Sequence, residues 1–153
     1  MVKTMKIVIA SDPFGAQLKE EVKAHLLQLG HTVADVGAKN EQSKTYYVEA
    51  ASALCRTLLE EKYDRGILFC GTGIGVMLAA NKVKGAYAAN VNNVYAAKRA
   101  CLSNNCNIIT IGCQTVGNML AKELISAYLD CEYVYNERSG KKVDAIVAYE
   151  QSH

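Results

Sequence analysis

The residues with the clearest chemical use form one short run, Cys70-Gly71-Thr72-Gly73-Ile74-Gly75. It sets a thiol and a hydroxyl among glycines, directly after the apolar stretch Gly66-Ile67-Leu68-Phe69. Glycines let a backbone approach an anion closely. The N–H groups left free at a helix start, with the helix dipole behind them, favour negative charge. A thiol against such donors would have its thiolate stabilised and could act as a base. The plainer reading is a structural cysteine closing a strand. Two nucleotide readings fail. A P-loop would end in Gly-Lys-Ser/Thr where Val76-Met77 stand, and the dinucleotide pattern needs a glycine at Val76 and belongs to a first strand. By itself the run indicates an anion or oxyanion site.

Few other residues are equipped for chemistry. Three histidines are present, His25, His31 and His153, and on sequence grounds all three are expected to be solvated. Six cysteines show neither a CxxC nor zinc spacing, so reduced, buried thiols and a cytoplasmic location are expected. Cys113, in a turn beside Gln114, could lie near a pocket edge. Composition narrows the classes further. With 153 residues, half of them hydrophobic, the chain suits one domain with one sizeable core. A net charge of +2 is too small to suggest nucleic acid, and no apolar run approaches the roughly 20 residues of a membrane span. The first residues lack the charged and then apolar pattern of a leader.

The elements that must position these groups alternate between the strand and helix periods. Lys6 to Ala10 reads as a buried strand ending at Ser11-Asp12. From Gly15, Leu18, Val22, Leu26 and Leu29 recur at helical spacing, with Lys19, Glu20, Glu21 and Lys23 on the opposite face, until Gly30. Strands are expected at Thr32–Gly37, Gly66–Cys70, Ala86–Ala89 and Asn107–Ile111. Helices are expected at about Tyr46–Lys62, after Gly75, at Val94–Leu102, from Thr115-Val116-Gly117 to about Leu129, and at Lys141–Tyr149. Nothing divides the chain. The economical architecture is α/β, one domain with a five-stranded parallel sheet between two helical layers, a three-layer Rossmann-like arrangement. Ligands of such sheets sit beyond the carboxyl ends of the strands, where Ser11-Asp12, Cys70 to Gly75 and Gly112-Cys113-Gln114 would share one edge.

Several segments together resemble the type B ribose-5-phosphate isomerases, grouped with the galactose-6-phosphate isomerase subunits. They are Ser11-Asp12-x-x-Gly15, Cys70 to Gly75 followed by Ala79-Ala80-Asn81-Lys82, and Asn104 ahead of the strand ending Ile111-Gly112. The resemblance runs from about Met5 to Val147. It implies aldose–ketose isomerisation of sugar phosphates through an enediolate, with no metal and no cofactor. Cys70 would be the base, and Thr72 would assist proton movement at the oxygens. The amides of Gly71, Gly73, Ile74 and Gly75 would form the anion hole. Asp12 would hold sugar hydroxyls, Tyr47 would line the pocket and Asn104 would bind the sugar chain. Each also has an ordinary reading: Asp12 as a helix cap, Asn104 as a turn residue, Tyr47 as packing. The resemblance further implies a homodimer, or a dimer of dimers, with the site between subunits. The tail from about 133 to 153 would reach the partner, bringing Arg138 and Lys142 to the phosphate.

This sequence departs from the family pattern where histidines and an arginine are usual. Pro13, Ser103 and Ser139 replace histidines, the one at Ser103 being the group that opens a furanose ring, and Gln114 replaces the arginine. Ser103 and Gln114 stay in the candidate substrate-binding set. A planar Arg–phosphate fork has no equivalent in glutamine. Three accounts follow, in this order: a ribose 5-phosphate isomerase in which Ser103, water or spontaneous opening serves; an isomerase of another sugar phosphate, a hexose or a tetrulose phosphate too short to cyclise; and a weakly active sugar-phosphate-binding subunit. Outside the family, a flavodoxin-like cofactor-binding module would reveal itself by a bound chromophore.

Overall fold

The computed structural model describes residues 3–153. Five parallel strands lie in the order β2-β1-β3-β5-β4. In chain order they are β1 (Lys6–Ser11), β2 (Thr32–Asp35), β3 (Arg65–Cys70), β4 (Ala88–Asn90) and β5 (Ile108–Gly112). The helices are α1 (Ala16–Gln28), α2 (Tyr47–Glu60), α3 (Ile74–Ala80), α4 (Val94–Leu102), α5 (Asn118–Leu129) and α6 (Glu137–Ser152). Among the described residues no helix is long and apolar enough to cross a membrane.

The central strands are apolar on both faces because both faces are covered. Ile7, Ile9, Ile67, Phe69, Ile109 and Ile111 pack beneath α1, α4 and α5. The alternate residues Val8, Ala10, Leu68, Cys70 and Ile108 pack beneath α2 and α3. Helix α6 belongs to neither layer, and Gly140 is its one buried residue.

The order in which strands are added reverses between β1 and β3: β2 flanks β1 on one side while β3, β5 and β4 follow on the other. The crevice at the carboxyl ends of β1 and β3 is therefore a topological switch point, where open parallel sheets bind ligands. Ser11 pairs with Phe69 and Cys70 with Gly112 there, which lines up the ends of β1, β3 and β5.

Some sequence expectations need correction. Lys19 is not on a solvent face: its side chain is fully buried, with Nζ 2.8 Å from Asp35 Oδ1 and also donating to the Ala38 carbonyl. The carboxylate and carbonyl offset the loss of water around the ammonium. His31 is not solvated either. It is 4% exposed, and its Nδ1 accepts the Met5 N–H at 3.1 Å. His25 is half-buried, and loss of water lowers its pKa; His153 is exposed, as expected. The second strand stops at Asp35, although Val36 and Ala38 still donate to the Ile9 and Ser11 carbonyls. The fourth begins at Ala88 because the chain before it is still turning, with Ala86 N–H on the Val83 carbonyl. Helix α6 begins at Glu137 rather than Lys141, since the Asn136 side chain accepts the Ser139 N–H and caps it.

Candidate active site

The site is built on the turn between β3 and α3. Strand β3 delivers Cys70 with 5% exposure, and the backbone then doubles back over its sulfur. The Gly73 N–H donates to Cys70 Sγ at 3.1 Å. This closure needs Gly73 in the left-handed region, at φ +80°, a conformation that costs glycine little and a side chain much. Gly73 then serves as the N-cap of α3, whose first amide, Ile74 N–H, turns back onto the loop. Gly112, the last residue of β5, has no room for a side chain because the Thr72 backbone lies where a Cβ would stand.

Thr72 is poised within the same turn. Its Oγ1 accepts the Ile74 N–H at 3.2 Å, which leaves the hydroxyl proton available to an oxygen in the crevice. The β5–α5 turn is tied to the loop by two amides, Cys113 N–H to the Cys70 carbonyl and Gln114 N–H to the Gly71 carbonyl, both 2.9 Å. The Gln114 side-chain carbonyl lies against Gly71, where a Cβ would be 3.0 Å from it. Tyr47, the first residue of α2, packs its ring against Gly75, where a Cβ would stand 3.1 Å away.

Asp12 follows β1 with 7% exposure, and its Oδ1 accepts the Gly15 N–H at 3.0 Å. Burial raises its pKa, partly offset by the Gly15 and Phe14 amides. Asp12 therefore holds the turn into α1, as its capping reading required, while facing a cavity of about 500 Å³ shared with Pro13, Phe14, Glu41, Ser43 and Tyr46. Burial also raises the Cys113 thiol, helped by the neighbouring Asp12 and Cys70. All six cysteines are free.

One chain brings Asp12, Tyr47, Cys70, Gly71, Thr72, Gly73, Ile74, Gly75 and Gln114 to the ends of β1, β3 and β5 and the helix starts beside them. It does not bring Ser103, Asn104, Arg138 or Lys142 to that crevice. Ser103 follows α4, and its Oγ accepts Arg99 Nε at 2.6 Å. Asn104 lines a separate cavity of about 240 Å³ with Tyr87, Val143, Ile146 and Val147. Arg138 and Lys142 are exposed one turn apart on α6, with no carboxylate partner among the described residues.

Thr110 and Asn90, which contact the glycine loop from behind, were not expected from sequence. The available signal was Thr110 as the one polar side chain in Ile-Ile-Thr-Ile-Gly. Among the described residues no group of three or more His, Cys, Asp or Glu could hold a metal ion.

Comparison with known proteins agrees with this geometry. The Ribose/Galactose Isomerase family profile matches residues 7–146. A D-erythrulose-4-phosphate isomerase of Pectobacterium atrosepticum is 39% identical over 146 residues, 95% of each chain. Ribose-5-phosphate isomerase B of Escherichia coli is 36% identical over 146 residues, 95% of this chain and 97% of that one. The solved structure of ribose-5-phosphate isomerase B from Clostridium thermocellum superposes with a TM-score of 0.92 at 34% identity, covering 97% of this chain and 99% of its own. With a thiol seated under a glycine loop at the switch point, and likeness along almost its full length, the chain belongs to the ribose/galactose isomerase family of sugar-phosphate isomerases.

Proposed function

We propose that this chain interconverts an aldose phosphate and its ketose phosphate, with Cys70 as the base and ribose 5-phosphate as the five-carbon substrate. The reading rests chiefly on the Gly73 N–H held on Cys70 Sγ beside the Thr72 hydroxyl. The Cys70 thiolate takes the proton from the carbon next to the carbonyl, and the electron pair of that C–H bond moves through the carbon framework onto the carbonyl oxygen. The resulting enediolate is met by the amides of Gly71 and Gly75, while those of Gly73 and Ile74 hold Cys70 Sγ and Thr72 Oγ1 in place. Thr72 passes a proton between the two oxygens, and Cys70 returns its proton to the neighbouring carbon. Asp12 holds hydroxyls at the other end of the sugar.

A second substrate is favoured by one observation. Ser103, at the ring-opening position, carries no imidazole and has its hydroxyl engaged by Arg99 Nε. A four-carbon sugar phosphorylated at its terminal oxygen has no hydroxyl left with which to close a furanose ring, so it needs no opening. The D-erythrulose 4-phosphate named for the Pectobacterium relative is such a compound.

The same reading includes a second copy of the chain and a cytoplasmic setting, the latter supported by six unpaired thiols. Asn104, Arg138 and Lys142 would enter the partner's crevice, which fits their distance from Cys70 in their own chain and the exposure of α6. Turnover is to be measured on ribose 5-, ribulose 5-, galactose 6- and erythrulose 4-phosphates, wild type beside Cys70→Ala. If none is consumed, or if the variant equals wild type, the reading fails. The ratio of kcat/KM between four- and five-carbon compounds decides the substrate. Mixing Cys70→Ala with Arg138→Ala chains at low substrate tests the shared site. A dimer re-forms one intact site per heterodimer, about a quarter of all sites on random mixing, whereas separate sites recover nothing.

A further inference from the structure

Behind the glycine loop stands Thr110 of β5. It is fully buried and shares its face of the sheet with Leu68 and Cys70. A hydroxyl there must find a partner, and Thr110 Oγ1 donates to the Gly73 carbonyl at 2.7 Å, the Asn90 Oδ1 acceptor lying farther off at 3.4 Å. That carbonyl belongs to the peptide plane that also carries the Ile74 N–H. In a trans peptide the two groups point in opposite directions, so holding one aims the other. The Ile74 N–H is aimed at Thr72 Oγ1. Three groups are thus joined in series through one rigid plane: the Thr110 hydroxyl, the Gly73–Ile74 peptide and the Thr72 hydroxyl. Each donated hydrogen bond polarises the next. Asn90 makes a longer contact with the adjoining plane, Nδ2 to the Thr72 carbonyl at 3.4 Å. That plane carries the Gly73 N–H donated to Cys70.

We infer that Thr110 is a positioning residue of the isomerase site: its buried hydroxyl sets the plane whose Ile74 amide holds Thr72 Oγ1, and so presents the Thr72 proton to the reacting oxygens. The inference rests on the Cys70 isomerase reading for its effect on rate but not for its effect on the backbone. The plane is in register before substrate arrives, so the loss falls on kcat. Substrate binding through Asp12 and the basic residues of α6 is left alone.

The test pairs Thr110→Val, equal in shape without the hydroxyl, with Thr110→Ser, which keeps it. Turnover, thermal midpoint and hydrogen exchange of the Ile74 amide are read together. Thr110→Val is expected to lower kcat about 10- to 100-fold with KM within about threefold. Its Ile74 amide should exchange about 10-fold faster or more. Thr110→Ser should recover both to within about threefold of wild type. Wild-type kcat and Ile74 exchange in a folded Thr110→Val overturn the inference. So does a Thr110→Ser as impaired as the valine variant, which would make methyl packing the cause. If Thr110→Val does not fold, Thr110→Ala, which also lacks a donor, takes its place under the same expectations. If wild type consumes no sugar phosphate, the functional reading fails, while Ile74 exchange still decides whether Thr110 sets the plane.

Discussion

The glycine loop and helix α6 hold the groups proposed for the chemistry and for the phosphate in opposite ways. The loop is fixed by main-chain atoms: Gly73 on Cys70, Thr110 on Gly73, Cys113 and Gln114 on the carbonyls of Cys70 and Gly71. Its neighbours are the buried ends of three central strands. Helix α6 adds nothing to either side of the core and exposes Arg138 and Lys142 to solvent. Groups that must meet a reacting carbon gain from a rigid frame, because small misplacements there are costly in rate. Groups that hold a phosphate act at longer range and tolerate a looser mount.

That contrast can be broken from either end. The largest effect is expected from Cys70→Ala, which should lower kcat about 10²- to 10⁴-fold with little change in thermal midpoint, measured by a coupled assay. A variant of unaltered kcat would remove the chemistry from the rigid half. Next comes Lys19→Met, which strands Asp35 beneath the chain leading to the pocket. With its side chain 4% exposed and left with Lys23 at 3.6 Å and the Gly37 N–H at 3.4 Å, the loss should approach about 3 kcal/mol in urea unfolding. Arg138→Ala should raise KM about 10-fold while kcat stays within about threefold, as lost uniform binding does. An unchanged KM would remove Arg138 from the phosphate.

The smallest change is expected from Tyr87→Phe. The Tyr87 hydroxyl donates to Glu150 Oε2 at 2.7 Å and so ties α6 to the edge of the sheet. The substitution should cost about 1 kcal/mol and speed amide exchange in α6 ahead of the core. Burial and the Glu150 acceptor push Tyr87 up to about 12. Because the folded value lies above the unfolded one of about 10, this contact stabilises fully below pH about 10 and fades as pH rises toward 12. Alkaline titration of wild type against Tyr87→Phe reads that difference directly.

Much of the rigid half was legible in the sequence. A continuous apolar run followed by Cys-Gly-Thr-Gly-Ile-Gly leaves few structures besides a buried strand and an anion-binding turn. Two periods, 2 and 3.6, sufficed to order the elements. What escaped were matters of tertiary placement. Nothing local to β4 or β5 says that β5 inserts between β3 and β4, or that Thr110 consequently meets Gly73. Lys19 sits at a position that reads as polar and exposed, and only the approach of Asp35 and Ala38 makes it a core residue. The separation of Asn104 and α6 from Cys70 was visible as an expectation only through the family resemblance, since spacing along a chain carries no distances.

The stretch after α5 is fastened at its two ends. Arg65 donates to the Tyr128 and Cys131 carbonyls, the latter at 2.8 Å, and Glu150 accepts from Gly85 N–H and Tyr87. Between these clasps the Tyr135 ring fills the space beside Gly140, so the first turn of α6 packs on its own lead-in. A span clasped at both ends has a set length. Residues 132–149 should therefore accept exchanges of side chain far more readily than the insertion or loss of even one residue, because a changed count would turn Arg138 and Lys142 about the helix axis by roughly 100° and draw one clasp out of reach.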